Sequence, residues 1–182
     1  MAKSVDPTNP VTDLSAFTLE HLQRPRNDAE QLQRLVDTQA IRDVLGLYCR
    51  AQDRCDLPLL QSVFHADAVD HHGGVFEGSV RDFCGFAIEK LRQCEAVTHH
   101  LFQTLIDVDG DVAGTEAYAL AFHRIRIAQS TIDSIWSARI HDRFERRDGL
   151  WRIAERRVVY DWNIDVPSRE TWGMGFFGAR DQ

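Results

Sequence analysis

The sequence has little that would direct the protein to a membrane or to nucleic acid. No apolar run approaches the roughly 20 residues that a bilayer-spanning helix needs, and the opening residues, MAKSVDPTNPVTDLSAF, contain no apolar segment typical of a secretory signal peptide. Acidic residues outnumber basic ones by 28 to 21, which gives a formal net charge of −7. A surface that binds phosphate backbones needs the opposite balance. We therefore expect no nucleic-acid and no membrane partner.

Cysteine and proline are also scarce. The four cysteines, Cys49, Cys55, Cys84 and Cys94, have neither CxxC nor zinc-ribbon spacing. This pattern is typical of reduced, mostly buried thiols, so we expect a cytoplasmic protein without a structural metal. Three of the five prolines fall within residues 1–28, where hydrophobic periodicity is weak. That segment is predicted to be an N-terminal arm.

The rest of the composition is typical of one soluble domain. The chain has 182 residues, of which 43% are hydrophobic and 27% charged. We expect a single domain over residues 29–162 and a C-terminal tail over residues 163–182. The tail carries aromatic residues among glycines, at Trp172, Phe176 and Phe177. Two roles remain open for it: a lid over a cavity, or a contact with another subunit.

The first half of the domain predicts helices. Apolar residues recur at intervals of three and four from Ala29 to about Gln52, which favours a long amphipathic helix. A short helix over 56–65 follows, with Asp56 as its cap. Residues 66–79 read as short strands broken at two glycines, with His71 and His72 in a surface loop. Ser79 then begins a helix that ends near Glu95.

The second half predicts strands. Turn signals at 109–111, 129–134 and 148–149 separate four strand-like runs, at about 98–108, 112–128, 135–147 and 150–162. Sequential strands joined by tight turns form an antiparallel meander, and helices followed by such a sheet define the α+β class. A strongly curved sheet closing on the helices would form a cone that encloses a cavity.

The run 112–128 separates into two faces because side chains alternate along a strand. One face holds Tyr118, Leu120 and Phe122. The other holds three alanines in register together with His123 and Ile125. Small residues in register leave space that a packed core seldom tolerates. They favour a ligand cavity with His123 inside it, although helices packed close against the alanines would explain them as well.

A histidine doublet lies where the pattern changes from helix to strand, in 95-EAVTHHLFQT-104. On a strand, only one of His99 and His100 can face the interior. Alternation alone does not choose between them. Four histidines and Asp53 could in principle bind zinc, but no HxxxH or HxH spacing supports a metal site.

The order of the motifs resembles the SnoaL-like branch of the NTF2-like superfamily. The motifs are Y-x-R-A-x-D-x-x-D at the end of the first long helix, H-x-D-A, a glycine-rich strand, T-H-H, V-D-G-D and D-G-x-W. Together they span roughly residues 30–162. The resemblance implies a cone of helices on a curved antiparallel sheet. It also implies an Asp–His pair such as those of scytalone dehydratase, hexachlorocyclohexane dehydrochlorinase and bile acid 7α-dehydratase.

The resemblance implies specific site residues. The family aspartate matches Asp53, and the family histidine matches His100, which lies four residues before Thr104. Tyr48 matches a tyrosine five residues before the aspartate, and His123 matches the second histidine of scytalone dehydratase. Five residues on an ideal helix turn the side chain through about 140°, so Tyr48 joins the site only if the helix loosens at its end. Walls for a flat hydrophobic substrate are expected from Phe83, Phe86, Leu91, Phe102 and Trp136.

This set of residues suits proton abstraction from carbon without a metal or an organic cofactor. A carboxylate fixes one imidazole nitrogen so that the other can take a proton, and His123 or Tyr48 could protonate a leaving group or hold an enolate oxygen. We expect a homodimeric or homotrimeric dehydratase or isomerase for a hydrophobic, steroid-like substrate. Two alternatives stay open: polyketide-type ring closure, and a non-catalytic small subunit of an aromatic-ring-hydroxylating dioxygenase.

Overall fold

The computed structural model describes residues 17–168, which form four helices and one six-stranded sheet. The helices are α1 (Leu19–Leu22), α2 (Asp28–Asp53), α3 (Leu57–Ser62) and α4 (Val80–Arg92). The strands are β1 (Phe64–His72), β2 (Phe76–Ser79), β3 (Ala96–Asp109), β4 (Val112–Ile127), β5 (Ser130–Arg147) and β6 (Leu150–Pro167). In this part of the chain, no helix is long and apolar enough to cross a membrane.

Local sequence explains where the helices begin. The Asn27 side chain accepts a hydrogen bond from the backbone N–H of Glu30, and the Glu30 carboxylate accepts one from the N–H of Asn27. This reciprocal pair satisfies two amides that α2 would otherwise leave open. Asp56 and Ser79 cap α3 and α4 through their side chains. The predicted helix over Ala29–Gln52 is confirmed.

The sheet has the strand order β2-β1-β6-β5-β4-β3, and β1 pairs with β6 in parallel while the other pairs are antiparallel. Strands β3 to β6 form the predicted meander. In the turn between β5 and β6, Asp148 and Gly149 both have positive φ, 53° and 77°. This conformation is that of the type I′ turn that Asp-Gly favours and that suits the twist of a hairpin.

Two strands extend beyond their predicted limits. The polar stretch 129–134 was expected to be a turn, but β5 already begins at Ser130. Strand β6 continues to Pro167, so residues 163–167 belong to the sheet and not to the tail. The two extensions pair with each other, with Ile132 opposite Pro167. The polar residues of 129–134 look like a turn in sequence, but Ser134 is buried in the paired strands and Thr131, Ile132 and Asp133 are half-buried. Residues 169–182, the rest of the predicted tail, lie outside the described part of the chain.

The core lies between the helices and the concave face of the sheet. It joins α2, α3 and α4 to β5 and β6 through the buried residues Ile41, Leu60, Phe83, Phe144 and Ile153. Two of the cysteines, Cys55 and Cys84, are part of this core as predicted, and burial raises the pKa of the Cys84 thiol to about 12. Beyond the core the sheet curves away from α2 and α4 and encloses a cavity of about 430 Å³. The predicted α+β cone is confirmed.

Candidate active site

The helix-terminal carboxylate binds His99. Asp53 is the last residue of α2, and its Oδ1 accepts hydrogen bonds from the ring Nδ1 of His99 at 2.7 Å and from the backbone N–H of His99 at 2.9 Å. The two side chains are 28% and 15% exposed. One oxygen thus holds both the ring and the backbone of His99. Because the bond occupies Nδ1, Nε2 is left for the cavity that His99 lines.

His100 was expected to be the partner of Asp53, but the partner is His99. A β-bulge in β3 explains the difference. Leu101 pairs with Ala119, but the next pair joins Thr104 to Ala117, so two residues of β3 face one residue of β4. Side chains therefore change faces between Leu101 and Thr104. His99 and Leu101 share the concave face with the buried Ile106, although they differ in parity from it.

His100 and Phe102 lie at the rim and on the outside. His100 is among the residues that border the cavity, but its ring packs against Phe102 at 6.3 Å and against Phe122 at 5.6 Å, measured between ring centroids. Phe102 is 53% exposed, and it does not line the 430 Å³ cavity. It lines a neighbouring open cleft with α2, so its predicted place in the substrate wall is also corrected.

The small residues of β4 do form the floor of a hollow. Ala119, Ala121, His123 and Ile125 line the cavity, while Tyr118 and Phe122 on the other face are exposed. Ala117, the third alanine of the predicted face, is fully buried and does not line the cavity, whereas Leu120, predicted on the outer face, does. The predicted cavity face of β4 therefore holds for Ala119, Ala121, His123 and Ile125.

His123 lies beside the dyad as a neutral imidazole. Its ring is 5.4 Å from the ring of His99 between centroids, in an edge-to-face arrangement. Among residues 17–168, nothing forms a hydrogen bond with its buried Nε2. Burial, and then the neighbouring His99, lower the pKa of His123 to about 4. At neutral pH it can donate one N–H to an oxygen, but it carries no extra proton for a leaving group.

This lowered pKa predicts a measurable loss of stability in acid. Between its folded pKa of about 4 and an unfolded value of about 6.5, the unfolded chain binds the proton on His123 and the folded chain does not. The free energy of unfolding should therefore fall as the pH drops through this window, by about 3 kcal/mol at most. Denaturant unfolding at pH 7.5, 6.0 and 4.5 should show a smaller loss for His123→Gln than for the wild type. Equal losses of unfolding free energy in the two proteins would contradict a lowered pKa for His123.

Tyr48 lines the cavity and also covers a buried ion pair. Arg156 donates two hydrogen bonds of 2.7 Å to Asp142, and both side chains are fully buried. The guanidinium carbon lies 3.7 Å from the centroid of the Tyr48 ring. Burial disfavours the charge on Arg156, but the facing Asp142 carboxylate outweighs it and raises the Arg156 pKa. Burial also raises the pKa of Tyr48, so its phenol stays protonated.

A second carboxylate–histidine pair was missed in the sequence. His71 and His72 were expected in a surface loop, but both belong to β1. His72 lines the cavity, and its Nδ1 lies 3.1 Å from Oδ1 of the buried Asp70. His71 points away and pairs with Glu77. The alternation of Ala68, Asp70 and His72 was the available signal, because it places all three on one face of a strand.

The remaining wall is largely apolar and aromatic. Four of the five residues predicted to contact substrate line the cavity: Phe83, Phe86, Leu91 and Trp136. Trp136 packs edge-on against Tyr160 at 5.2 Å between ring centroids. Over residues 17–168, no group of three or more histidine, cysteine or acidic side chains is arranged to hold a metal ion. The polar residues that line the hollow are the histidines of the two pairs, His100 and His123, the two tyrosines, Gln52, Gln93 and Lys90.

Comparison with solved structures finds proteins that share this fold. A candidate scytalone dehydratase from Novosphingobium aromaticivorans DSM 12444 is 23% identical, with a TM-score of 0.66, and the match covers 78% of this chain and 95% of that one. A type 2 hexachlorocyclohexane dehydrochlorinase is 17% identical, with a TM-score of 0.70 and coverage of 80% and 99%. A candidate aromatic ring hydroxylase from Novosphingobium aromaticivorans is 18% identical, with a TM-score of 0.63 and coverage of 74% and 94%.

At these identities the structural likeness establishes the fold and not an activity. None of the curated proteins compared with the sequence matches it. The family model of the SnoaL-like domain matches residues 33–157, which is more than half of the chain. This match confirms the resemblance derived from the motifs, and the chain belongs to the SnoaL-like domain family.

Proposed function

We propose that the protein is a cofactor-independent lyase or isomerase in which Asp53 and His99 remove a carbon-bound proton from a hydrophobic polycyclic or steroid-like substrate. The observation that carries this proposal is the two-point bond of Asp53 to His99. It fixes the tautomer of the ring, so that a lone pair on Nε2 faces an apolar hollow. A base held in this way needs no metal to act on a carbon acid activated by a neighbouring carbonyl.

The surroundings of the pair stabilise the cation that forms when His99 takes a proton. The carboxylate of Asp53 lies directly against the ring. Asp53 also ends α2, where the helix dipole contributes a partial negative charge. Both are in place to stabilise the positive charge that develops on the ring during proton transfer, in a hollow from which bound substrate would exclude most water.

The negative charge that develops on the substrate has two candidate donors. His123 is neutral and has an unoccupied ring nitrogen, and Tyr48 keeps its phenolic proton. Either can donate a hydrogen bond to an enolate oxygen, and such donors lower the barrier because they are already in place. We therefore assign to His123 a hydrogen bond to the enolate oxygen and not the protonation of the leaving group.

Two reaction outcomes start from the same enolate. Loss of hydroxide or halide from the adjacent carbon completes an elimination, whereas return of the proton elsewhere gives an isomer. Elimination is the chemistry named for two of the similar structures, a dehydratase and a dehydrochlorinase. A cavity of about 430 Å³ with aromatic walls suits a polycyclic substrate. We therefore favour a hydro-lyase of the steroid-dehydratase type, and polyketide-type cyclisation is the alternative that uses the same first step.

A non-catalytic role as the small subunit of a ring-hydroxylating dioxygenase is the second candidate. One similar structure is described as an aromatic ring hydroxylase candidate. A purely structural subunit needs a packed interior, however, and gains nothing from carboxylate–histidine pairs inside a hollow, which cost desolvation energy. The two pairs therefore favour catalysis.

We further propose that the outer face of the sheet joins copies of this chain into a homodimer or homotrimer. Phe122, Ile135 and Ile164 lie in one row across β4, β5 and β6 on that face, and Trp162 lies beside them. Such an exposed apolar row is unusual for a monomer. Sedimentation should show a dimer or trimer that Phe122→Glu dissociates, while Leu150→Glu, at an exposed hairpin end, leaves it intact. A monomeric wild type would contradict this.

The proposed activity is tested with a carbon acid that needs only a base. Ring opening of 5-nitrobenzisoxazole begins with removal of one C–H proton and releases a coloured phenolate. The protein should accelerate it well above free imidazole at the same concentration. In D₂O it should also exchange protons beside the carbonyl of ketosteroids or tetralones, as read by mass spectrometry. Failure of both assays would overturn the proposal.

A further inference from the structure

The second carboxylate–histidine pair is held by one hydrogen bond and by the packing of the histidine ring. Asp70 and His72 alternate along β1 on its cavity face, and Asp70 is fully buried. The only hydrogen bond found for the Asp70 side chain among residues 17–168 is the 3.1 Å bond to Nδ1 of His72, and its Oδ2 has no such partner. His72 is therefore the link between a buried carboxylate and the hollow, and its Nε2 is the nitrogen left for a ligand.

Packing on two sides fixes the direction of the His72 ring. It stacks on Phe83 of α4, with centroids 4.7 Å apart and planes inclined by 27°, and it meets the edge of Tyr160 on β6 at 6.1 Å. The next residue, Gly73, has a φ of 56°, and a Cβ there would lie 2.4 Å from the Tyr160 ring. The chain can turn so tightly beside Tyr160 only because this residue is glycine.

The buried charges behind His72 form one connected group. Asp70 lies close enough to Arg156 to interact with it electrostatically, and Arg156 is already paired with Asp142. This buried group holds two carboxylates and one guanidinium. Tyr48, Cys84 and Tyr160, the other titratable groups that sense Asp70, have raised pKa values because they are buried, so they stay neutral and add no charge. His72 is the ring through which this buried group reaches the cavity.

The two pairs lie on different walls of one cavity. His99 is on β3, at one edge of the sheet, whereas His72 is on β1, and β6, β5 and β4 lie between those strands in the sheet order. Both rings line the same hollow because the sheet curves around it. A substrate held between them would therefore present one group to His99 and another to His72.

From this arrangement we propose that His72, positioned by Asp70, is the proton donor of the reaction in which His99 is the base. This inference rests on the proposed function and specifies it as an elimination with separate base and acid. Nε2 of His99 takes the proton from carbon, and the C–H electron pair forms the new double bond. The bond from the adjacent atom to the leaving oxygen breaks, and that oxygen takes the proton from Nε2 of His72.

Each turnover then leaves a proton on His99 and removes one from His72. The two rings are partly exposed at the cavity, so exchange with solvent restores both. The acid and the base lie on different walls of the cavity. The site therefore favours substrates in which the hydrogen and the leaving group are on adjacent atoms and on opposite faces of the molecule. A hydroxyl, which leaves poorly without a proton, is a leaving group that needs such an acid.

The test compares two leaving groups on one scaffold. In 5-nitrobenzisoxazole the departing phenolate is stable and needs little protonation, whereas in unsubstituted 1,2-benzisoxazole it is much more basic. His72→Gln should slow ring opening of the unsubstituted compound by about 10²-fold or more, and that of the nitro compound by less than about fivefold. His71→Gln, which changes the adjacent ring paired with Glu77, should leave both rates unchanged.

The outcomes separate the two proposals. Equal slowing of both compounds by His72→Gln, or slowing of neither, overturns the assignment of His72 as acid while leaving His99 as base. Absence of His99-dependent ring opening overturns the proposed function itself. Asp70→Asn provides the positioning control: a variant that folds should show the same dependence on leaving group as His72→Gln. If it does not fold, the His72→Gln comparison decides alone.

Discussion

Replacing His99 with glutamine should lower the rate of 5-nitrobenzisoxazole ring opening by about 10²–10⁴-fold, whereas His100→Gln should change it by no more than a few-fold. The two variants form a matched comparison, because each replaces a histidine by glutamine at one of two adjacent positions of β3. Only the ring of His99 is bonded to Asp53, while that of His100 packs against Phe102 and Phe122 at the rim. Far-ultraviolet circular dichroism should show that both variants fold.

Asp53→Asn should produce a loss of comparable size. The amide of asparagine has the shape of the carboxylate, but it carries no charge to stabilise the imidazolium, and its NH₂ group can hold the ring in the wrong tautomer. The expected signature is a lower kcat with little change in KM, because the dyad acts on the reaction and not on binding. If His100→Gln were the damaging substitution and Asp53→Asn were harmless, the assignment of the base would fail.

The largest effect on stability is expected at the buried ion pair. Arg156→Met leaves the Asp142 carboxyl without its partner in a fully buried site, and removal of one partner of such a pair typically costs about 3–5 kcal/mol. The double replacement Arg156→Met with Asp142→Leu should recover part of that loss, since it removes both members of the pair and leaves Asp70 as the one buried carboxylate of the group. Equilibrium unfolding in urea measures all three proteins.

A second arginine on the same sheet provides the control. Arg139 forms a similar two-point bond with Asp161, but this pair is partly exposed to water. Water screens its charges, so Arg139→Met should cost at most about 1 kcal/mol. An equal loss at the two sites would mean that the burial of Arg156 does not govern its contribution.

Much of the fold could be predicted because each signal was local. The cap at Asp56 and the Asp-Gly turn at 148–149 are set by neighbouring residues, and alternation along β4 placed His123 and the alanines on the cavity face. The same alternation failed along β3. The bulge after Leu101 depends on pairing with β4, and nothing within β3 itself announces it. Choosing His99 over His100 required the partner strand.

The second pair was overlooked for a different physical reason. The glycines that follow His72 are typical of a loop, so the histidines before them were assigned to one. In the structure β1 is stabilised up to His72 by the parallel pairing with β6, where His72 lies opposite Val158. Such a pairing joins residues far apart in sequence. Asp53 and His99 are 46 positions apart in the chain, so no periodic pattern in the sequence could show that the two side chains meet.

The bulge in β3 determines which histidine of the doublet faces the hollow. His99 and Ile106 are seven positions apart, and regular alternation would put them on opposite faces, so the extra residue between Leu101 and Thr104 is what lets both face inward. Deleting one residue there would leave six positions, and a regular strand would then keep His99 inside without a bulge. A slip that removed the bulge at constant length, with Ile106 held in the core, would instead turn His100 inward and His99 outward.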